Sequence, residues 1–432
     1  MAQKTLIACA VAAVLAVPAN TQAEDSTTGP FGFQPIAESA TSAGWDPTAP
    51  WLIPEGFAQS VVSDETDLNI YDAGRDDWND MNTVNETGRH AGRYLYRTHE
   101  LRLPDSLPEG GTVSVVDLKT GAAKILAQDP SYDALDGIRW TPWGTVLFAE
   151  EVDNGRLFEI VLDKKDPMSG TVYDRPAVGR LAHEGIEVGP DGAVYVVDEQ
   201  RGLTDSTGCD STPCGGGVYK FVPDRRGDLS SGKLYVLRVL DNADNEGVGQ
   251  AEWAGPIGPL TARPSGSAIG GTSYQRPEDL EIIGDTLYVA ITEGTRNALG
   301  AENYDGRVIA VNLNSLMVTD YVKPGVNAPV EIGRPGDEGF QTGFDNPDNL
   351  AEAPNGDLVI VEDNVPSDIW FAGKDLDGDG AADAVHLFAS LSDPGAEGTG
   401  IYFGKDPKTL FVNIQHSAAP DGDGTWAITK VD

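Results

Sequence analysis

Short runs of apolar residues, each bounded by Gly, Asp or Asn, repeat along most of the chain and predict β-strands separated by tight turns. One type of run begins at a turn, continues through β-branched or aromatic residues, and ends in an acid or an amide. It occurs six times, at residues 92–100, 143–151, 191–199, 284–293, 355–363 and 407–415. A second, shorter type of run follows each copy of the first, at residues 111–118, 155–162, 216–223, 306–313, 367–373 and 424–430.

The two interleaved sixfold patterns predict an all-β chain folded as a six-bladed β-propeller, because radial repetition produces paired strand units of this kind. We expect the first pattern to line the axis. We also expect the C-terminal strand, Trp426–Lys430, to complete the blade that begins near residue 90 and so close the ring. A Gly/Pro-rich stretch, Glu246 to Gln275, predicts a long excursion between two blades. The alternative is another all-β fold with accidental internal similarity.

The N-terminal segment has the layout of a secretory signal peptide over residues 1–23. Lys4 is its only charged residue, an apolar run follows, and small residues precede Glu24. We expect residues 24–60 to form an irregular arm and residues 61–432 to form a single propeller domain. The protein is therefore predicted to be secreted or periplasmic.

Cysteine use agrees with export. After removal of the signal peptide, only Cys209 and Cys214 remain. In an oxidising compartment this pair is predicted to form a disulfide across a small surface loop. A metal site is the alternative, but no second Cys or His pair is available to complete it.

The chain is strongly acidic, with 68 Asp or Glu against 30 Lys or Arg and a formal net charge of −38. Such a surface disfavours nucleic acid and anionic membranes as partners. Abundant carboxylates and only five His favour hard cations with oxygen ligands. No GxSxG, Walker or GxGxxG motif is present, which leaves metal-assisted chemistry as the main enzymatic option. We expect a monomer.

Acids recur just upstream of the first strand pattern. Asp136, Glu184 and Asp348 each precede a turn glycine by eight residues. Acids at the same place with small shifts are Glu278, Asp279 and Glu397. If the repeats superpose, these acids lie at equivalent positions in five blades and can converge on the central channel. Because converging carboxylates repel each other unless cations lie among them, we predict an axial metal site. The alternative is that each acid caps a turn.

A second acidic cluster consists of Asp375, Asp377, Asp379 and Asp383 and matches the first half of a calcium-binding loop. It predicts a structural calcium, with a solvated Asp-Gly turn as the alternative. Among basic residues, Arg276 is the best-placed partner for an anion and Arg139 is the second. Either could instead pair with a neighbouring carboxylate.

Several segments resemble the PhoX-type alkaline phosphatases. They are TPWGTVLFAEE (141–151), GRLAHEGIEVGPDGAVYVVDE (179–199), RPEDLE (276–281), PDNLAEAPNGDLVIVED (347–363) and LFVNIQH (410–416). The resemblance implies a six-bladed propeller whose axial iron–calcium cluster hydrolyses phosphate esters. Carried over residue by residue, it implies metal ligands at Glu150 or Glu151, Glu184, Glu278 and Glu397. The family's iron-ligating Cys is missing, and Asp136 stands near its place, which favours a calcium-rich centre over iron or another transition metal.

The leading hypothesis is therefore a secreted, metal-dependent hydrolase of small anionic phosphate esters, with Arg276 contacting the substrate. A rival is a calcium-dependent lactonase, arylesterase or phosphotriesterase in which one axial calcium is held by Glu184, Asp348 and Asn349. A third possibility is a binding propeller that is stabilised by metal and has no enzymatic activity.

Overall fold

The computed structural model describes residues 29–68, 70–71, 77–200, 216–242, 246–292, 306–334, 336–337 and 339–431. The predicted signal peptide and the predicted disulfide between Cys209 and Cys214 lie outside these residues and stay predictions. None of the helices in the described part is long and apolar enough to cross a membrane.

Six antiparallel blades surround one axis, and two early strands, β1 (Trp51–Leu52) and β2 (Phe57–Asp64), join blades that form much later in the chain. From the axis outward, blade 1 contains β3 (Asn79–Val84), β4 (Tyr94–His99), β5 (Gly111–Asp117) and β6 (Ala122–Asp129). Blade 2 contains β7 (Leu135–Trp140), β8 (Val146–Glu150), β9 (Leu157–Asp163) and β10 (Asp166–Asp174). Blade 3 contains β11 (Ile186–Val188), β12 (Val194–Val197), β13 (Val218–Arg225) and β14 (Asp228–Val239), followed by β15 (Gly249–Ile257), which also pairs with the outermost strand of blade 4.

The other three blades follow the same plan. Blade 4 contains β16 (Pro277–Ile283), β17 (Thr286–Ile291), β18 (Arg307–Asn312) and β19 (Met317–Val322). Blade 5 contains β22 (Pro347–Glu352), β23 (Leu358–Glu362), β24 (Asp368–Ala372) and β25 (Val385–Leu391), and β1 pairs with β25 at its outer edge. Blade 6 contains β26 (Glu397–Phe403), β27 (Thr409–Gln415), β28 (Gly424–Lys430) and, outermost, β2. A small hairpin, β20 (Ile332–Gly333) and β21 (Gln341–Thr342), and one helix, α1 (Ala262–Ala268), lie in the connections.

The strand that faces the axis is the one that precedes the first sequence pattern. The prediction that the first pattern itself lines the axis was therefore wrong, because that pattern forms the second strand of each blade. Members of that pattern, such as β12 and β23, are buried along their whole length. Both of their faces pack between neighbouring blades, in apolar clusters such as the one that joins Val359 and Val361 to Val412 and Ile414. Full burial of each such side chain contributes about 1.5–3 kcal/mol.

The ring is closed by the N-terminal strand β2, which pairs with β28 from Phe57↔Lys430 to Asp64↔Gly424. The C-terminal strand β28 therefore belongs to blade 6, and the prediction that it completes the blade beginning near residue 90 was wrong. Blade 1 builds all four of its strands from residues 79–129, so it has no vacancy to fill. Residues 57–60 of β2 and both residues of β1 lie in propeller sheets, although the sequence assigned them to the arm.

Two glycines let the inner strands of blades 2, 3 and 4 approach closely. A Cβ on Gly137 would overlap the carbonyl oxygen of Glu184, and a Cβ on Gly185 would lie 2.6 Å from the Cα of Asp279. The backbone N–H of Gly185 also donates to the carbonyl of Glu278 at 3.0 Å. These contacts fix how far apart neighbouring inner strands lie.

We predict that Gly137→Ala lowers the free energy of unfolding by about 3 kcal/mol, because the added methyl group must push two backbones apart in a packed core. Chemical denaturation measures the change. Gly333→Ala is the control, since a Cβ there meets nothing within 4 Å. Equal stability of the two variants would contradict the close approach.

Candidate metal centre

A recurring backbone corner places one acid at the start of each inner strand. Two residues before the acid, five blades have a residue with positive φ, namely Trp78 (44°), Ala134 (42°), Arg276 (49°), Asn346 (41°) and Gly395 (94°). The carbonyl of this corner residue accepts the N–H that follows the second strand, as from Glu151 to Ala134 at 2.9 Å. Four non-glycine residues in this costly conformation indicate that the surrounding structure holds the corner firmly.

The six blades thereby bring six carboxylates to one axial cavity of about 190 Å³, which are those of Asp80, Asp136, Glu184, Glu278, Asp348 and Glu397. Three more carboxylates, those of Glu100, Glu151 and Asp363, come from the residues that directly follow second strands. The remaining lining residues are Arg102, Arg276, Thr399 and Gln415. No apolar side chain lines the cavity within the described part of the chain.

The carboxylate oxygens lie close enough to share cations. Oxygens of Asp136, Glu151 and Glu184 lie within 4.8 Å of one another, and so do oxygens of Glu184, Glu278 and Asp348. Glu184 belongs to both groups, so two ions could share it. Oxygens around one calcium at about 2.3–2.6 Å from the ion have separations of this size.

The donor set fits a hard cation. Both groups offer only oxygen ligands, which calcium prefers. The buried Oδ1 of Asp136 has no hydrogen-bond partner in the described residues, as expected of an atom whose partner is an ion. The Cys that the resemblance associates with iron has no counterpart among the described residues around this cavity.

Burial makes the metal-free cavity hold protons. Desolvation, together with the charge of Glu100, raises the pKa of Asp80 to about 8. Desolvation and neighbouring acids likewise raise the pKa values of Asp136 and Glu184 well above the usual range. The same holds for Glu151, Asp348 and Glu397, and for Glu278, where Arg276 partly opposes the rise. The cavity contains nine carboxylates and only two guanidinium groups, so most of the acids can ionise only if cations bind among them.

The two arginines line the cavity beside its acids. Arg102 donates to Glu100 at 2.7 Å and pairs with Glu151, while almost half of its side chain stays exposed. Arg276 lies 3.0 Å from Glu278 and also pairs with Glu199. The acids beside each guanidinium raise its pKa, so both stay protonated.

The structure separates the predicted ligands into two sets. Asp136, Glu184, Glu278, Asp348 and Glu397 reach the cavity, as described above. Of the pair Glu150 or Glu151, Glu151 does so, and Arg276 joins them.

Three predicted ligands have other roles in the described structure. Glu150 accepts the backbone N–H and the Nε–H of Arg156 at 2.9 and 2.8 Å, because the strand end turns it away from the axis. Asp279 accepts the N–H groups of Leu280 and Leu350 at 2.7 and 2.9 Å, and Asn349 accepts from Gly400. Asp279 and Asn349 thus join neighbouring inner strands.

The second acidic cluster, residues 375–383, does not line the axial cavity. Oxygens of Asp375, Asp377 and Asp383 lie within 4.8 Å of one another, but Asp375 also accepts N–H groups from Gly378 and Gly380 at 2.7 and 2.9 Å. Calcium in this loop stays a prediction.

Asp80, Glu100, Asp363 and Arg102 also line the cavity, although the sequence did not predict them as site residues. A signal existed for three of them. Asp80 precedes Gly88 by the same eight residues as the other acids, although the first strand pattern begins only at Gly92. Glu100 and Asp363 are the terminal acids of the first pattern, as is Glu151.

The family model described as "Alkaline phosphatase PhoX" matches residues 155–418. The chain belongs to the PhoX alkaline phosphatase family. Membership supports a phosphatase-type hydrolase that acts on a small anionic phosphate substrate, and it confirms the resemblance noted in the sequence. No curated protein matches the chain significantly.

One solved structure confirms the fold, and two more distant ones are also similar. Pseudomonas fluorescens PhoX in complex with vanadate, a transition state analogue, has a TM-score of 0.63 and 20% identity, over 93% of this chain and 98% of that one. The PQQ-bound aldose sugar dehydrogenase of Streptomyces coelicolor has a TM-score of 0.46 and 17% identity, over 88% and 99%. A putative gluconolactonase has a TM-score of 0.46 and 12% identity, over 88% and 93%.

We predict that the metal-free protein loses thermal stability as the pH rises from 5 to 8. The raised pKa values, such as that of Asp80 at about 8, mean that the folded state holds protons that the unfolded chain releases. A higher pH therefore favours unfolding in this window. Saturating calcium should flatten the dependence, because bound ions replace the protons.

Thermal unfolding of chelator-treated protein across this pH range measures the effect. Asp80→Asn should reduce the slope, since it removes one of the titrating groups. A melting temperature of the metal-free protein that rises steadily from pH 5 to pH 8 would contradict the prediction.

Proposed function

We propose that this protein is an exported, metal-dependent hydrolase of phosphate esters with calcium among its ions. The observation that carries the proposal is the axial cavity, to which each of the six blades supplies at least one carboxylate and in which two arginines share the lining. Export rests on the predicted signal peptide. The rest of the proposal follows from the chemistry of the cavity.

Asp136, Glu151, Glu184, Glu278 and Asp348 would hold the cations, because their oxygens form the two overlapping groups. Bound cations supply Lewis-acid polarisation of the phosphoryl group and acidify a water molecule, so that no Ser or Cys nucleophile is needed. The carboxylates position these ions and, once neutralised, cease to repel an incoming phosphate.

Arg102 and Arg276 suit recognition of the phosphoryl oxygens. A guanidinium group matches phosphate with two parallel N–H donors and stays charged at any working pH. Arg102 has the more exposed side chain and can exchange its carboxylate partners for substrate with less rearrangement. These local cations matter because the chain as a whole has a formal net charge of −38 and repels anions at long range.

The cavity lining favours a phosphatase over the two alternatives. All thirteen lining residues are polar or charged, whereas a lactonase or arylesterase needs an apolar surface beside its metal. The cavity is also open to solvent through side chains such as Arg102, which does not suit a propeller whose axis is merely filled for stability.

We predict that Glu184→Gln and Glu278→Gln reduce kcat/KM for an aryl phosphate on the order of 10²-fold or more, because each removes a charge from the metal-binding groups. Chelation should abolish turnover and calcium should restore it, alone or with iron. Glu252→Gln is the matched control, since Glu252 pairs with Arg238 on the outer edge of blade 3.

Three substrate classes decide between the alternatives. Turnover of an aryl ester or a lactone without turnover of the aryl phosphate would contradict the proposal and support the calcium-dependent esterase. Absence of turnover in all three, with the metals restored, would support a binding propeller.

We further predict that Arg102→Met raises KM about tenfold, which corresponds to the loss of one charge-assisted hydrogen bond of about 1.4 kcal/mol to the phosphate. Steady-state kinetics measure KM and kcat separately. An unchanged KM would exclude Arg102 from substrate binding.

A further inference from the structure

A second tier of charged residues lies below the axial cavity on three consecutive inner strands. Arg139 lies on β7, Glu187 on β11 and Glu281 on β16. Arg139 places Nη1 3.1 Å from one Glu281 oxygen and Nη2 3.3 Å from the other, and Nη2 also pairs with Glu187. All three side chains are largely buried.

The two tiers are in register. Arg139 follows Asp136 by three residues, Glu187 follows Glu184 by three, and Glu281 follows Glu278 by three. The glycine contacts at Gly137 and Gly185 lie between the tiers. Asp136 and Glu278 thus lie on the same strands as Arg139 and Glu281, while Glu184 lies two residues before β11, which carries Glu187.

The lower tier differs from the upper tier in one respect. Its acids already have a cation, because the guanidinium of Arg139 hydrogen-bonds to Glu281 and forms an ion pair with Glu187. These acids raise the pKa of Arg139, so the charge is permanent. The planar guanidinium contacts two strands at once and thereby fixes their separation. The ammonium group of a lysine is a single-point charge and cannot do this equally well.

We propose that Arg139 is a positioning residue for the metal centre. Its guanidinium acts as a built-in cation that sets the spacing of the inner strands of blades 2, 3 and 4, and thereby the distances among Asp136, Glu184 and Glu278. The inference rests on the proposed function in one respect, namely that these acids bind cations. It also explains why Arg139, which the sequence suggested as an anion partner, is not available to the substrate.

Calcium titrated into chelator-treated protein by calorimetry tests the proposal, with Glu184→Gln identifying the axial component of binding. We expect Arg139→Lys and Arg139→Met to weaken axial calcium binding about 10- to 100-fold, the range found for residues that orient metal ligands. Arg139→Met should also lower the melting temperature, because it leaves two buried acids without a counter-charge. If Arg139→Met does not fold, Arg139→Lys decides.

Arg175→Met is the matched control. Arg175 pairs with Glu159 in the outer part of blade 2, and the exposure of the two side chains (18% and 4%) resembles that of Arg139 and Glu187 (16% and 5%). This variant should lower the melting temperature and leave axial calcium affinity unchanged. Loss of affinity in both variants, or in neither, would overturn the positioning role.

Failure of the proposed function would look different. A wild-type protein that binds axial calcium, and binds it more weakly after Arg139→Lys, but hydrolyses no phosphate ester would contradict the phosphatase and support the positioning role. An active wild-type protein whose Arg139→Lys variant keeps full calcium affinity would support the phosphatase and contradict the positioning role.

Discussion

Repulsion among nine carboxylates in one small cavity is the constraint on which the rest of the structure depends. Two like charges about 5 Å apart repel by about 3 kcal/mol at an effective dielectric constant of 20. Several such pairs would cost more than a typical domain's entire stability of about 5–15 kcal/mol. The cavity must therefore hold protons or cations, and at neutral pH bound cations also prepare it for an anionic substrate.

The propeller holds these carboxylates in place by having every blade contribute at least one of them. Six inner strands begin at the same level, strained corners at residues such as Ala134 and Asn346 fix their starting points, and Gly137 and Gly185 fix their separation. Pairing of β2 with β28 keeps the ring closed, so that no blade can move outward to relieve the repulsion. The cluster of Arg139, Glu187 and Glu281 neutralises its carboxylates in the same way below the cavity, with the guanidinium of Arg139 as the cation.

The repeat made the blade number and most cavity acids predictable from sequence, for a physical reason. In four blades the turn after the inner strand contains a glycine with φ between 82° and 86°, namely Gly88, Gly144, Gly192 and Gly356, so that acid and glycine keep a constant separation there. The axis-facing strand was not predictable, because an inner strand and its buried neighbour follow each other directly. Neither was β2, whose half-exposed, mixed sequence has no repeat partner. Glu150 and Glu151 are adjacent at a strand end, where only the three-dimensional turn decides which one faces the axis.

The most direct test of the central claim is anomalous diffraction from crystals grown with calcium and then exchanged with manganese, whose anomalous signal is stronger. The account predicts peaks on the propeller axis, within bonding distance of Glu184 and shared with Asp136 on one side or Glu278 and Asp348 on the other. An axis without any anomalous peak, at a pH where the protein is folded and its surface sites are occupied, would contradict it. In that case the carboxylates would be held together by protons alone.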